Sequence, residues 1–308
     1  MYQPRTDLAV EAHELARKSN KLDGVLYKEE NICGFSMTRV EILNEHSAEI
    51  TGKPCGKYLT LHTGMPWNDT SDSLIRASKA VASLVRELID NTSASSSAIL
   101  VAGLGNVTIT ADAIGPKSLE HVIVSRHIKT SSPALFSELG LFDIAAISPG
   151  VLSQTGVETT EIIKSLVDRI SPSAVIAIDS LASKNLERLV TTIQLSDTGI
   201  SPGSGMGNRR TALNIDTLGV PVISIGIPTV VDAGALAFDI IEKYSKGKPE
   251  HKDFIQDIFN ENEQDLKYFV TPKDADLIIS CLAKVIGYGI NLAFHKNLEY
   301  EEMVSIAN

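Results

Sequence analysis

"AVIAID", residues 174–179, is the stretch on which the fold turns. Five apolar residues run without polar alternation, and one carboxylate closes them. A strand with a wet face alternates apolar and polar residues, whereas a strand covered on both faces is nearly all apolar. Similar short runs surround it: "AILVAGLG" (98–105), "HVIVS" (121–125), "FDIAAIS" (142–148), "TTIQLS" (191–196) and "PVISIGI" (221–227). Between two of them lies "TGVETTEIIKSLVDRI" (155–170), in which Ile162, Ile163, Leu166, Val167 and Ile170 share one helical face. Thr155 and Glu158 offer it a capping box. Apolar runs alternating with helices predict an α/β class, with a mostly parallel central sheet and helices on both faces.

Outward from this centre the pattern changes. Residues 8–19 and 73–90 have helical periodicity, the second with Leu74, Ala77, Val81, Leu84, Val85 and Leu88 on one face. Residues 24–62 alternate and carry β-branched side chains, which predicts a small antiparallel β region made of a hairpin and the strand "KYLTLH" (57–62). Residues 271–295 predict a long closing helix with Pro272 in its first turn. Residues 1–7 are polar and contain Pro4, so they form a tail ahead of a single domain over 8–308.

The chain has 308 residues, with 28 Lys and Arg against 38 Asp and Glu, a formal net charge of −10. That field disfavours direct nucleic-acid binding. Cys33, Cys55 and Cys281 form no disulfide framework and no close pair for zinc. There is no apolar signal core and no run of 18 apolar residues, so a cytoplasmic chain without a membrane span is expected.

"GLGNVTITADAIGP" (103–116) resembles a nucleotide loop only in part. A dinucleotide fingerprint needs a third glycine where Thr108 stands, and "VTIT" favours an extended chain over an early helix. Asp112 follows this turn, Asp179 ends "AVIAID" and Asp232 follows "PTVV". Functional groups in α/β sheets collect beyond strand ends, so these aspartates could face one cleft. Asp179 could equally cap a helix over "SLASKNLERLV". Two carboxylates sharing a site retain one proton, giving a base and an acid able to hydrolyse a peptide without a metal. A metal site would draw on His121 and His127, which lack the HExxH spacing. No G-x-S-x-G elbow occurs, and Ser180 has no ordered triad signal. In "ISPGSGMGNRR" (200–210), Arg209 or Arg210 could meet an acidic substrate residue, or the loop could be a surface turn.

Several long blocks then carry a family resemblance: "RTDLAVEA" (5–12), "GLGNVTITADAIGPK" (103–117), "IVSRH" (123–127), "ISPGVLSQTGVETTEII" (147–163), "VIAIDSLASKNLERL" (175–189), "ISPGSGMGNRR" (200–210) and "LGVPVISIGIPTVVDA" (218–233). Together they resemble the germination proteases of endospore-forming bacteria, atypical aspartic endopeptidases related in fold to hydrogenase-maturation endopeptidases. The resemblance implies catalysis by Asp112 and Asp179, no cofactor and no metal. It leaves the role of Asp232 undefined. It implies a homotetrameric zymogen of the forespore cytoplasm that degrades small acid-soluble spore proteins at germination. It further implies self-cleavage between Asp7 and Leu8, because "DLAVE" (7–11) fits the family's cleavage motif. Residues 1–7 would then be a propeptide. A metal-dependent peptidase and a non-catalytic spore protein are the alternatives. The stretch 244–270 is shorter than the resemblance leads one to expect.

Overall fold

The computed structural model describes residues 6–18, 23–65, 71–90, 98–203, 210–244, 268–295 and 297–307. Among them, nine strands form one sheet in the order β1-β2-β3-β7-β8-β6-β4-β5, with β9 added beside β8. The strands are β1 (Val25–Ile32), β2 (Phe35–Ile42), β3 (Gly56–His62), β4 (Ile99–Gly103), β5 (Ile144–Ile147), β6 (Ala174–Ser183), β7 (Thr192–Ser196), β8 (Val222–Asp232) and β9 (Phe269–Val270). The helices are α1 (Ala9–Lys18), α2 (Glu45–Thr51), α3 (Ser71–Asp90), α4 (Ile114–Leu119), α5 (Arg126–Ser131), α6 (Pro133–Glu138), α7 (Leu152–Thr155), α8 (Thr159–Ile170), α9 (Ile215–Leu218), α10 (Ala233–Tyr244), α11 (Ala275–Phe294) and α12 (Tyr300–Ala307).

β6 forms the centre for the reason its sequence gives. Ile176 and Ile178 face one way, into a core with Val81, Leu84 and Leu88 of α3 and Ile279, Leu282 and Ile286 of α11. Val175 and Ala177 face the other way, against Ile163 and Val167 of α8. Alternate side chains of one strand thus enter two apolar layers. α11 is long and apolar enough to cross a membrane, and its burial beside α3 accounts for that apolarity.

The sheet is mixed rather than mostly parallel. β8, β6, β4 and β5 run parallel, but β1, β2, β3, β7 and β8 pair antiparallel. A parallel return needs a crossover of a dozen or more residues. The short link from Ser183 to Thr192 brings β7 back in the opposite sense. Nor do residues 24–62 stand apart as a small β region. Tyr58–His62 of β3 pair with Thr192–Ser196 of β7, so these strands extend the one sheet. Leu59, Leu61, Ile193 and Leu195 continue the same buried layer.

Other departures are local. "HVIVS" is no strand: Ile123 donates its amide to Asn291 Oδ1 at 2.8 Å, and Asn291 Nδ2 donates to the His121 carbonyl at 2.8 Å. Val122 and Ile123 are buried without a strand partner, whereas Val124 is exposed. The helix expected from residue 155 begins at Thr159 behind Glu158, which makes no side-chain cap. Pro272 precedes α11 and accepts from the Ala275 amide at 3.2 Å.

Candidate active site

Asp112 is seated by the glycine-rich turn that follows β4. The Asn106 amide donates to the Asp112 carboxylate at 2.8 Å and to its carbonyl at 3.0 Å. Gly105 has φ +106°, and a Cβ there would lie 2.1 Å from the Asp112 carbonyl oxygen. Only glycine permits both the backbone angle and the approach. "VTIT" turns rather than extends, because Asn106 Oδ1 accepts from the Thr108 amide at 3.1 Å and its hydroxyl at 2.8 Å. Asp112 closes a one-turn helix, Thr110–Asp112, ahead of α4. The turn serves to hold a carboxylate.

Asp179 lies within β6 rather than at its end, so it caps no helix. The strand continues to Ser183 and stays paired with β8, with a register shift after Leu181. β4 stops with Gly103 opposite Ile178, so Asp179 still sits just past the end of that parallel neighbour. It is 5% exposed, and its Oδ1 accepts from the Ser180 amide at 2.8 Å. Burial raises its pKa well above the usual carboxylate range, and the charge of Asp112 raises it further. The Asp112 pKa is also raised by burial, against a lowering by the Asn106 amide. Asp179 therefore holds a proton more firmly than Asp112 does. His121 meets Tyr288 edge-on, while His127 is exposed on α5. Among the described residues, no three His, Cys, Asp or Glu side chains gather to hold a metal.

The chain's own N-terminal segment runs along the prolongation of β6. The Asp7 amide donates to the Ala182 carbonyl at 2.9 Å, and the Ala182 amide donates to Asp7 Oδ2 at 2.8 Å. The Asp7 carbonyl accepts from Lys53 Nζ at 2.9 Å and Gln194 Nε2 at 3.2 Å. Leu8 and Val10 pack on Leu181. Glu11 is 1% exposed, and its carboxylate accepts from Ser183 Oγ, the Lys184 amide, the Asn185 amide and Arg188 at 2.8–3.4 Å. A cavity of about 370 Å³ opens beside Asp7, Lys53, Gln194 and Gly226.

A family model described as germination protease matches residues 5–248. The chain belongs to the germination protease family. A germination protease of Caldanaerobacter subterraneus subsp. tengcongensis is 43% identical, covering 97% of this chain and 96% of the relative. One from Clostridium perfringens is 40% identical over the whole of both chains. That of Bacillus subtilis is 36% identical, covering 97% of this chain and 95% of the relative. The protein is thus an enzyme of the protease class.

In this member of the germination protease family, Arg210 lies close enough for its charge to lower the pKa of both Asp112 and Asp179. Its influence falls on the aspartate pair. Arg210→Ala is expected to raise both carboxyl pKa values, moving both limbs of the pH–rate profile toward higher pH. An unmoved profile of kcat/KM would remove Arg210 from the site. Arg209 lies outside the described residues. Asp232 ends β8 and accepts the Ala235 amide at 3.0 Å, which makes it the cap of α10.

Sequence reasoning missed Lys53, Gln194 and the Glu11 cradle. Lys53 had no signal, being one lysine in a loop after α2. Gln194 had one: in "TIQLS", Thr192, Gln194 and Ser196 alternate with buried Ile193 and Leu195. A polar row on one face of a central strand marks a surface built for polar contacts.

Proposed function

We propose that this chain is an endopeptidase that cleaves after an acidic residue by attack of water, with Asp112 and Asp179 sharing one proton. The observation that carries this reading is the placement of the two carboxyls: buried Asp179 lies just past the end of β4, and the turn that follows β4 seats Asp112 where its charge acts on Asp179. Ionised Asp112 takes a proton from the attacking water. Protonated Asp179 gives one to the leaving amine. The substrates are small acid-soluble spore proteins, broken down at germination in the spore core, which fits the names of the curated relatives. Residues 1–7 act as a propeptide of a zymogen, with 8–308 the peptidase domain of a homotetramer.

The bond after Asp7 supports self-processing. "DLAVE" lies bound along β6, with both its acidic side chains in hydrogen bonds. The test is intact mass over time at mildly acidic pH, then digestion of a small acid-soluble spore protein with and without chelator. Loss of residues 1–7, absent in Asp112→Asn, and digestion that survives chelation are the expected results. Retained full mass with full digestion would overturn the zymogen. Loss on chelation, recovered with zinc, would overturn the metal-free mechanism.

A further inference from the structure

Three neighbouring strands bring Asp179, Gly226 and Gln194 into one row across the sheet. Asp179 of β6 pairs with Gly226 of β8, and Gly226 pairs with Gln194 of β7. Directly paired residues project to the same face, and neighbouring strands lie about 4.8 Å apart. The backbones of Asp179 and Gln194 are therefore about 10 Å apart, wide enough for a peptide unit between their side chains. Gly226 carries no side chain, and Leu181 leans into the room this leaves, forming the base on which Leu8 packs.

The Asp7 carbonyl lies toward the Gln194 side of this row. Gln194 is oriented at both ends: its Oε1 accepts from the Ala9 amide at 2.7 Å, so its Nε2 is turned to the Asp7 oxygen at 3.2 Å. Lys53 Nζ reaches the same oxygen at 2.9 Å from the loop that follows α2. Two donors from separate elements thus converge on one carbonyl, and one of them is an ammonium. An ordinary strand carbonyl needs neither.

We propose that Lys53 and Gln194 are catalytic residues, the pair of donors that receives the negative charge developing on the oxygen of the scissile carbonyl. The inference rests on the Asp7–Leu8 bond being one the enzyme cleaves. Water oxygen bonds to the Asp7 carbonyl carbon while its proton passes to Asp112. The carbonyl electron pair moves onto oxygen, held by Lys53 Nζ–H and Gln194 Nε2–H. As the pair returns, the C–N bond to Leu8 breaks, and Asp179 protonates the leaving amine. The products are a carboxyl group on Asp7 and an amine on Leu8. Burial holds the Lys53 pKa below the usual lysine value, with the Asp7 and Glu11 charges opposing that shift, so its N–H donates from a dry setting in which a hydrogen bond acts strongly.

The experiment uses the full chain, read by single-turnover self-cleavage and by steady-state cleavage of the synthetic peptide QPRTDLAVEA (residues 3–12). Lys53→Met and Gln194→Met should each lower the self-cleavage rate and the peptide kcat by about 10²–10³-fold, the usual loss for one such donor. KM should change little, since the interaction strengthens in the transition state. Lys53→Arg, which keeps a charged donor, should recover part of the loss. Gln194→Glu keeps the acceptor for the Ala9 amide and loses only the donor, so it decides the matter where Gln194→Met folds poorly. Parental kcat in the Lys53 and Gln194 variants, or a loss confined to KM, would overturn the inference and leave the two residues as a clamp. The dyad is tested apart from this: inactive Asp112→Asn beside active Lys53→Met sinks only the carbonyl pair, whereas active Asp112→Asn sinks the aspartate mechanism.

Discussion

Asp112→Asn and Asp179→Asn should each lower kcat by about 10²–10⁴-fold, the range for loss of a positioned acid or base. An amide neither takes a proton from water nor gives one to the leaving amine. The two variants should differ in stability. The folded-state pKa of Asp179 is raised above its unfolded value. The native state therefore holds that proton to higher pH than the unfolded chain does, and the parent loses stability as pH rises from the ordinary carboxylate range toward the folded pKa. Asparagine cannot ionise, and its side-chain oxygen can still accept the Ser180 amide. Asp179→Asn should thus gain about 0.5–2 kcal/mol at neutral pH, as active-site charges often cost stability. The gain should vanish in acid. Thermal melts across pH, beside peptide cleavage rates, check both parts. A dead variant that is also destabilised at neutral pH would mean a disrupted site rather than a missing proton. In the parent, kcat/KM should follow a bell whose alkaline limb, set by Asp179, lies above the usual carboxylate range.

Glu11→Ala should slow self-cleavage by about 10–100-fold, because hydrogen bonds to a charged group contribute about 1.5–3 kcal/mol each. Glu11 fixes the register of the N-terminal segment. Its buried carboxylate takes Ser183 Oγ and the amides of Lys184 and Asn185, with Arg188 beside them. Truncation takes the acceptor from the Lys184 amide, leaves Ser183 Oγ, the Asn185 amide and Arg188 to their contacts with the Asn185 carbonyl, Ser183 Oγ and Glu14, and frees the segment to slide. Glu11→Gln keeps an acceptor and should fall between the parent and Glu11→Ala. Intact mass against time reads the rate. In the peptide QPRTDLAVEA, replacing the glutamate by alanine should weaken kcat/KM in the same order. An unchanged self-cleavage rate in Glu11→Ala would show that this cradle does not align the scissile bond.

The sequence by itself determined the layered α/β core. The unbroken apolar runs at 98–102 and 174–178 had to be covered on both faces, and helices α3, α8 and α11 had the stripes to cover them. The pattern also offered three aspartates after apolar runs, Asp112, Asp179 and Asp232, and the family resemblance rather than the pattern set the first two apart. Strand direction was not legible. Apolarity reports burial, and "TTIQLS" reads alike in either sense until the short return from Ser183 makes it antiparallel. The end of β6 was hidden too, because Asp179 breaks the apolar run but not the backbone ladder to Gly226. Only the tertiary structure joined Lys53, Gln194 and Asp7, which lie far apart in the chain and meet through β3, β7 and the N-terminal segment. A hydrogen bond depends on distances across the sheet. Sequence spacing carries no record of those distances once the chain has crossed from strand to strand.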